Sequence, residues 1–460
     1  MGTTLNKGEK MVSKRTEDLI RWDEEHIIHP CASAVGHNTG LVIEKGHGVW
    51  LQDTEGKQYI DMAAGLGYCI LGHGRKEIID AVVEQMTNLE LNHTFFGLSN
   101  VKNIEYAKKL AEITPEGLDH FFFCSGGSEA IDSAIKIARL YWSLQGKNKW
   151  KIVCFHGGFH GLSGGSTWAS SAGNGVFMEG IGPQAPGFIF APFYYCNRCV
   201  FELQYPECNM QCTRYLAKVI EHEGVGTVAA FMAEPVMGNA GQIPPPPEYW
   251  PIARKTCDKH NILMIADEVQ SGFTKTGKMF GLENWGVKPD IMVMAKGISS
   301  GYVPFGAVAI NDRVYQVLKD NSFWHGYTYS GHPVACAAST AALNIYVRDK
   351  LTENAAKVGK HIMERLEAEF KPLPCVGGFS GLGLMIGIDI VADKTTKSPL
   401  SPAIRDSIWH QMLEKGLLSR PIAGYGDIRL FVCPPCVITL EEVDKMLDIL
   451  LPIIAAIKPS

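Results

Sequence analysis

The chain has 460 residues, long enough for two or three units with their own cores and too long for a small scaffold that needs staples. Hydrophobic residues make up 46% and charged residues 20%, a balance that excludes a disordered chain. Lys and Arg number 43 against 48 Asp and Glu, a net charge of −5 with no basic run, so the electrostatic footprint of a nucleic-acid or anionic-membrane binder is missing. Up to Pro30 the chain is polar, and an amphipathic pattern over 17–28 predicts a short helix in an arm or cap. The stretch 46–61 alternates around Asp53-Thr54-Glu55-Gly56, the pattern of an antiparallel hairpin. From about residue 70 short apolar runs at 120–124, 151–155, 228–232, 262–266, 291–295 and 306–310 alternate with helical patterns. Such runs predict an α/β unit built on a mostly parallel sheet covered on both faces. Past residue 335 a long helical stretch reaches to about 370 and leads into a smaller unit, with strand candidates at 383–390 and 427–432 and a terminal helix over 441–451. The N-terminal hairpin is expected to join that unit. The chain then divides into an arm and part of the small unit (1–69), a large unit (70–335) and the rest of the small unit (336–460).

The longest apolar stretches, such as 449–457 with Pro452 inside it, are about half of the roughly 18 residues that a membrane-spanning helix requires. The first residues lack the apolar core of a signal peptide, which predicts a cytoplasmic protein. Most of the 13 cysteines sit in apolar segments, as reduced thiols do.

Open α/β sheets bind ligands outside the carboxyl ends of their strands, so the residues there carry the chemistry. The run 262–266 ends at Asp267 and the run 291–295 at Lys296. Burial lowers a lysine's pKa and favours the neutral amine that attacks an aldehyde, and an acid at a neighbouring strand end can hold a protonated ring nitrogen. A buried ion pair between the two is the competing reading. Cys124-Ser125-Gly126-Gly127-Ser128-Glu129 passes from a strand through a glycine turn into a helix, where free N–H groups and the helix dipole favour an anion. Ser128 as a plain helix cap is the simpler alternative. After the run 151–155 comes His156-Gly157-Gly158-Phe159-His160-Gly161, where Phe159 either covers a flat heterocycle or packs in the core. Phosphate cradle, aromatic cover, acid and lysine together describe a pyridoxal 5'-phosphate site.

With these residues in place, the chain resembles the class III (omega) aminotransferases, a family of fold type I pyridoxal-phosphate enzymes. The resemblance rests on Ala266-Asp267-Glu268-Val269-Gln270-Ser271-Gly272-Phe273, on the segment from Pro289 to Tyr302 that contains Lys296, and on Pro304-Phe305-Gly306-Ala307. It runs from about His29 to Thr439. It implies a large domain with a mostly parallel seven-stranded sheet and a smaller α+β domain from both termini. It also implies that Lys296 carries the cofactor and later moves the proton, and that Asp267 keeps the pyridine nitrogen protonated. Val269 and Phe159 would lie on the two ring faces, Gln270 at the 3'-hydroxyl, and Gly127 and Ser128 at the phosphate. Thr328, in Tyr327-Thr328-Tyr329-Ser330-Gly331, would reach the phosphate of the neighbouring subunit, giving a homodimer with shared sites that can pair further into a dimer of dimers. Arg429 resembles the arginine that grips a substrate carboxylate, against the plainer reading of a surface arginine beside a strand. Glu234 matches a glutamate that in some members pairs with that arginine when no carboxylate is bound. The aromatic residue that follows Ala-Gly-Leu in many relatives is here preceded by Gly67 and stands at Tyr68, which reshapes the pocket wall.

The resemblance implies an aminotransferase that works in two half-reactions through the pyridoxamine form. The donor is an omega-amino acid, beta-amino acid or amine; pyruvate is the first acceptor to test and 2-oxoglutarate the second. A decarboxylase, racemase or lyase on the same scaffold is the alternative, and a non-catalytic binding protein a distant third. No metal is assigned to the catalytic site. Cys196, Cys199, Cys208 and Cys212 form a C-x2-C and C-x3-C pair that leaves three readings open: a structural zinc, free thiols in an ordered insertion, or local disulfides.

Overall fold

Strands that are apolar on both faces must be covered on both sides, and the chain meets this demand with one sheet wrapped by helices. The computed structural model describes residues 12–31, 40–172, 177–419, 421–423 and 428–458. In chain order its strands are β1 (Ile43–His47), β2 (Trp50–Asp53), β3 (Gln58–Asp61), β4 (Leu118–Cys124), β5 (Lys151–Phe155), β6 (Phe188–Ala191), β7 (Val228–Ala233) and β8 (Leu263–Asp267). They continue with β9 (Ile291–Met294), β10 (Gly306–Asn311), β11 (Val376–Leu382), β12 (Met385–Ile390), β13 (Leu417–Leu418), β14 (Pro421–Ala423) and β15 (Ile428–Val432).

The central sheet has seven strands in the order β4-β10-β9-β8-β7-β5-β6. The six runs read from the sequence all become strands of it. The seventh, β6, is four residues at the edge beside β5 and carries little signal of its own. Strands β5 to β9 are mutually parallel, whereas β10 runs antiparallel to both β9 and β4. The cause is the short link from β9 to β10. A parallel return needs a crossover of about a dozen residues or more, usually a helix, and here only a one-turn 3-10 segment (Lys296–Ile298) and a loop intervene. The chain therefore turns at the carboxyl end of β9 and comes straight back. The carboxyl ends of β4, β5, β7, β8 and β9 and the start of β10 share one edge.

Two four-stranded sheets complete the fold, β1-β2-β3-β13 and β11-β12-β15-β14. Strands β2 and β3 form the expected hairpin, and β13 joins β3 in parallel through Ile60 and Leu417, so segments about 350 residues apart share one sheet. One apolar cluster runs from Ile60 and Leu71 through Phe273 and Phe305 to Ile386, Leu430 and Leu447, which ties these sheets to the central one. Lys275, fully buried, adds a polar tie by donating to the carbonyls of Cys433 at 3.0 Å and Pro434 at 2.6 Å. The helical stretch beyond 335 is two helices, Pro333–Arg348 and Leu351–Arg365, because Lys350 between them adopts a left-handed conformation that ends one and starts the next. Among the described residues no helix is long and apolar enough to cross a membrane.

The helix Gly127–Ser143 lies on the sheet and buries Trp142, whose ring nitrogen donates to the Ala229 carbonyl at 2.9 Å. Trp142→Ala empties that space and leaves the carbonyl without its donor. We expect a loss of about 3–5 kcal/mol of stability, measured as an earlier midpoint in denaturant unfolding.

Candidate active site

Asp267 is the last residue of β8 and is 3% exposed. The Val269 N–H donates to its Oδ1 at 3.0 Å, and His160 Nδ1 lies 2.7 Å from its Oδ2. A carboxylate oxygen only accepts, so that imidazole nitrogen carries the proton. Burial alone would push the His160 pKa down, but the hydrogen bond and charge of Asp267 outweigh it and the pKa is raised. Lys296 stands one strand away, just beyond β9, with φ of 49°, a left-handed conformation uncommon for a residue with a side chain. Burial lowers its pKa, opposed in part by the charges of Asp267 and Glu234. The site thus holds an acid inside a dry hydrogen-bonded pair and an amine biased towards its neutral, nucleophilic form.

Across from them β4 ends at Cys124 and the helix Gly127–Ser143 begins without a side-chain cap on its first turn. Ser128 is not the N-cap, since that position is Gly126; the Ser128 hydroxyl instead accepts from the Leu162 N–H at 3.2 Å. The loop around Gly161 lies directly on this turn: Gly161 has φ of 130°, and a Cβ there would fall 2.4 Å from Ser128 Oγ. At Gly127 a Cβ would come within 3.2 Å of Val269 Cγ1, so the bare backbone leaves Val269 room beside the turn. Uncapped N–H groups at a helix start suit a phosphate.

These groups line one cavity of about 300 Å³. It brings together Gly127, Ser128, Phe159, Glu234, Asp267, Val269, Gln270 and Lys296, eight of the residues singled out from the sequence. Glu234 accepts from the Phe159 N–H at 3.1 Å and the Gly238 N–H at 2.8 Å. Burial raises its pKa, and repulsion from Asp267 adds to the rise. Gln270 lies against Gly238, where a Cβ would be 2.0 Å from its Oε1. Tyr68 supplies the aromatic wall while Leu66 points outward, 78% exposed. Sequence reasoning misses the partner of His160; its place in a glycine-rich loop after β5 is the one signal for it.

Two residues lie elsewhere. Thr328 is exposed and does not line the cavity of its own chain. Arg429 is 2% exposed and bound to Asp389, the residue opposite it in the β12–β15 register, and not to Glu234. The pairing of such an arginine with Glu234, which some members of the family show, is not seen here: Arg429 is bound to Asp389, and Glu234 accepts from two backbone N–H groups. Cys196, Cys199, Cys208 and Cys212 are free thiols around a void of about 20 Å³ walled by Phe193, Tyr195 and Phe201. Among the described residues the one group of three candidate metal ligands within 4.8 Å of one another is Asp119, His120 and Asp312, so these four sulfurs are not gathered as a tetrahedral site requires.

The contact at Gly161 is open to test. Gly161→Ala adds a Cβ where both the φ angle and Ser128 oppose it, and should cost about 1–3 kcal/mol. Thermal unfolding would show the loss, and the added cofactor should also be retained less well on gel filtration.

The model of the family described as Aminotransferase class-III matches residues 32–454. A diaminobutyrate–2-oxoglutarate transaminase of Halomonas elongata is 35% identical over 94% of this chain and 94% of its own. A putrescine–pyruvate aminotransferase of Pseudomonas aeruginosa is 34% identical over 96% of both. An amine transaminase from an uncultivated Pseudomonas species, solved with pyridoxal phosphate bound, superposes with a TM-score of 0.88 at 36% identity, covering 94% of this chain and 98% of that one. With the lysine, the acid and the uncapped helix start around one cavity, the chain belongs to the class III aminotransferases and is a pyridoxal-phosphate-dependent transaminase.

Proposed function

We propose that this transaminase takes its amino group from an omega-amino acid, beta-amino acid or amine and passes it to pyruvate, with 2-oxoglutarate as the second acceptor. The observation that carries the reading is the pairing of Asp267 and Lys296 at neighbouring strand ends on one cavity, each with the surroundings its task needs. Pyridoxal phosphate supplies an aldehyde and an electron-withdrawing ring that accepts charge from the substrate carbon. Lys296 would hold it through its amine and, when free, hold and move the substrate proton at Nζ. Asp267, oriented by His160, holds the proton on the ring nitrogen. Gly127 and Ser128 would offer backbone N–H groups to the phosphate, Val269 and Phe159 would lie beside the ring, and Gln270 would serve the 3'-hydroxyl. Glu234 steadies the Phe159 loop. Arg429, to which the resemblance gives the substrate carboxylate, is held by Asp389 and does not line this cavity.

The working form in this reading is a homodimer. The segment around Thr94 is bonded to the segment of Thr328: Thr94 Oγ1 donates to the Ser330 carbonyl at 3.2 Å and Asn100 Nδ2 to the Gly331 carbonyl at 3.0 Å. Phe96 and Trp324 on these segments are 89% and 88% exposed, an apolar surface that a second copy would cover. Thr328, exposed beside it, then serves the phosphate of the partner subunit. The 13 free cysteines, many deeply buried, fit a reducing compartment, which we take to be the cytoplasm.

Visible absorption of the loaded enzyme tests the reading. Beta-alanine, taurine, putrescine or 1-phenylethylamine should convert the cofactor from its aldehyde to its amine form, and pyruvate should reverse the change. No conversion by any donor would refute it. Lys296→Ala should slow conversion by at least about 10²–10⁴-fold, the usual contribution of a positioned acid–base group. Sedimentation should give twice the chain mass, and Phe96→Asp should shift it towards the single chain.

A further inference from the structure

The segment that carries Thr328 is fastened at both ends. Its far end is held by Thr94 and Asn100 through the carbonyls of Ser330 and Gly331. Its near end is held by the helix Gly127–Ser143, whose first turn is the seat for the phosphate. The Tyr327 hydroxyl donates to the Glu129 carbonyl at 3.0 Å, one residue beyond Ser128. Further along the same helix, Ser133 Oγ lies 2.8 Å from His325 Nε2, and Lys136 Nζ lies 3.1 Å from His325 Nδ1. An ammonium only donates, so Nδ1 accepts. The Ser133 hydroxyl already donates to the Glu129 carbonyl at 2.7 Å, so Nε2 carries the ring proton and donates to Ser133. Burial, with the Lys136 charge, pushes the His325 pKa down to about 4, and the ring is neutral at neutral pH, as this arrangement requires.

Between its anchors the chain makes a closed turn. The Ser330 N–H donates to the Tyr327 carbonyl at 3.0 Å, and the Tyr327 N–H to Ser330 Oγ at 3.2 Å. Thr328 and Tyr329 are the tip of that turn, and both are exposed. A β-branched side chain has few choices at χ1, so the placement of the turn largely decides where the Thr328 hydroxyl points. Aromatic packing fixes the approach: Phe122 of β4 stacks on His325 with 5.3 Å between ring centres, and a Cβ at Gly326 would fall 2.5 Å from Phe95 Cζ. Among these contacts the Tyr327 hydroxyl is the one that ties the turn to the phosphate seat itself. Burial pushes its pKa up to about 12, so it stays a donor.

We propose that Tyr327 is a positioning residue: by tying the Thr328 turn to the phosphate helix of its own chain, it sets Thr328 for the cofactor phosphate held by the partner subunit. It therefore acts on the other chain's site and not on its own. The proposal rests on the homodimer and on the reading of Thr328 given above.

Dimers assembled from two differently tagged chains test it. One chain carries Lys296→Ala, so only the other chain's site gives the absorption band of lysine-bound pyridoxal phosphate. The cofactor concentration that restores half of this band is measured. With Tyr327→Phe added to the Lys296→Ala chain, that concentration should rise about threefold to tenfold, the scale of one neutral hydrogen bond. With Tyr327→Phe on the reporting chain, it should stay within about twofold of wild type. A rise only in the second arrangement, an equal rise in both, or none in either overturns the proposal. Phenylalanine keeps the ring and leaves the Glu129 carbonyl its Ser133 donor. If that variant still gives no dimers, Ser133→Ala, which removes the acceptor of His325, takes its place with the same asymmetry expected. Thr328→Ala in the same two arrangements separates the proposal from its premise. Without the asymmetry there, the reading of Thr328 falls and the proposal with it; with the asymmetry there but an inert Tyr327→Phe, the proposal alone is overturned.

Discussion

Asp267 and Lys296 work only while water is kept from them, and most of the architecture follows from that demand. A carboxylate that must hold a proton on a neighbouring ring, and an amine that must stay neutral, need opposite treatment. The first needs a hydrogen-bond donor that holds it in place; the second needs burial that favours its uncharged form. Strand ends in a sheet covered on both faces provide both, because the backbone there is already dry and rigid while the side chain emerges into the cavity. His160 supplies the first condition from the loop after β5. The apolar run of β9 supplies the second.

Geometry at the sheet edge makes the two coincide. Had β10 followed β9 by a helical crossover, the chain would have left the cavity at Lys296. The short return keeps Ser299, Val303, Pro304 and Phe305 beside the lysine as part of the wall. The left-handed backbone at Lys296 is where this return begins, which gives the strained angle a structural reason alongside any chemical one.

Much of this was legible in the sequence because the signals are local. An apolar run that ends on a charged residue marks both a strand and the residue at its mouth, and a glycine turn before a helix marks an anion seat; both kinds of residue are in the cavity. The partner of Arg429 was not legible. It depends on the register of β12 against β15, which sets Asp389 opposite Arg429, and on an insertion from a distant part of the chain that brings Tyr195 and Asn197 to the same spot. Side-chain identities cannot encode a register whose strands are joined by a helix and the short β13 and β14. The same holds for β6, too short to show a pattern, and for the break at Lys350, where one left-handed residue divides a helical run.

The parallel contact of β3 with β13 has a consequence for how the molecule is made. Ile60 and Leu417 are about 350 residues apart along the chain, so at cellular rates of synthesis the hairpin emerges roughly 20–70 seconds before its neighbour exists. During that time the free edge of β3 is an open pairing surface. This sheet can close only after the central sheet has been made, which leaves the joining of β3 and β13 as a late step. Because β3 is paired on both sides in this way, a cut within the hairpin would open a sheet that also holds β13.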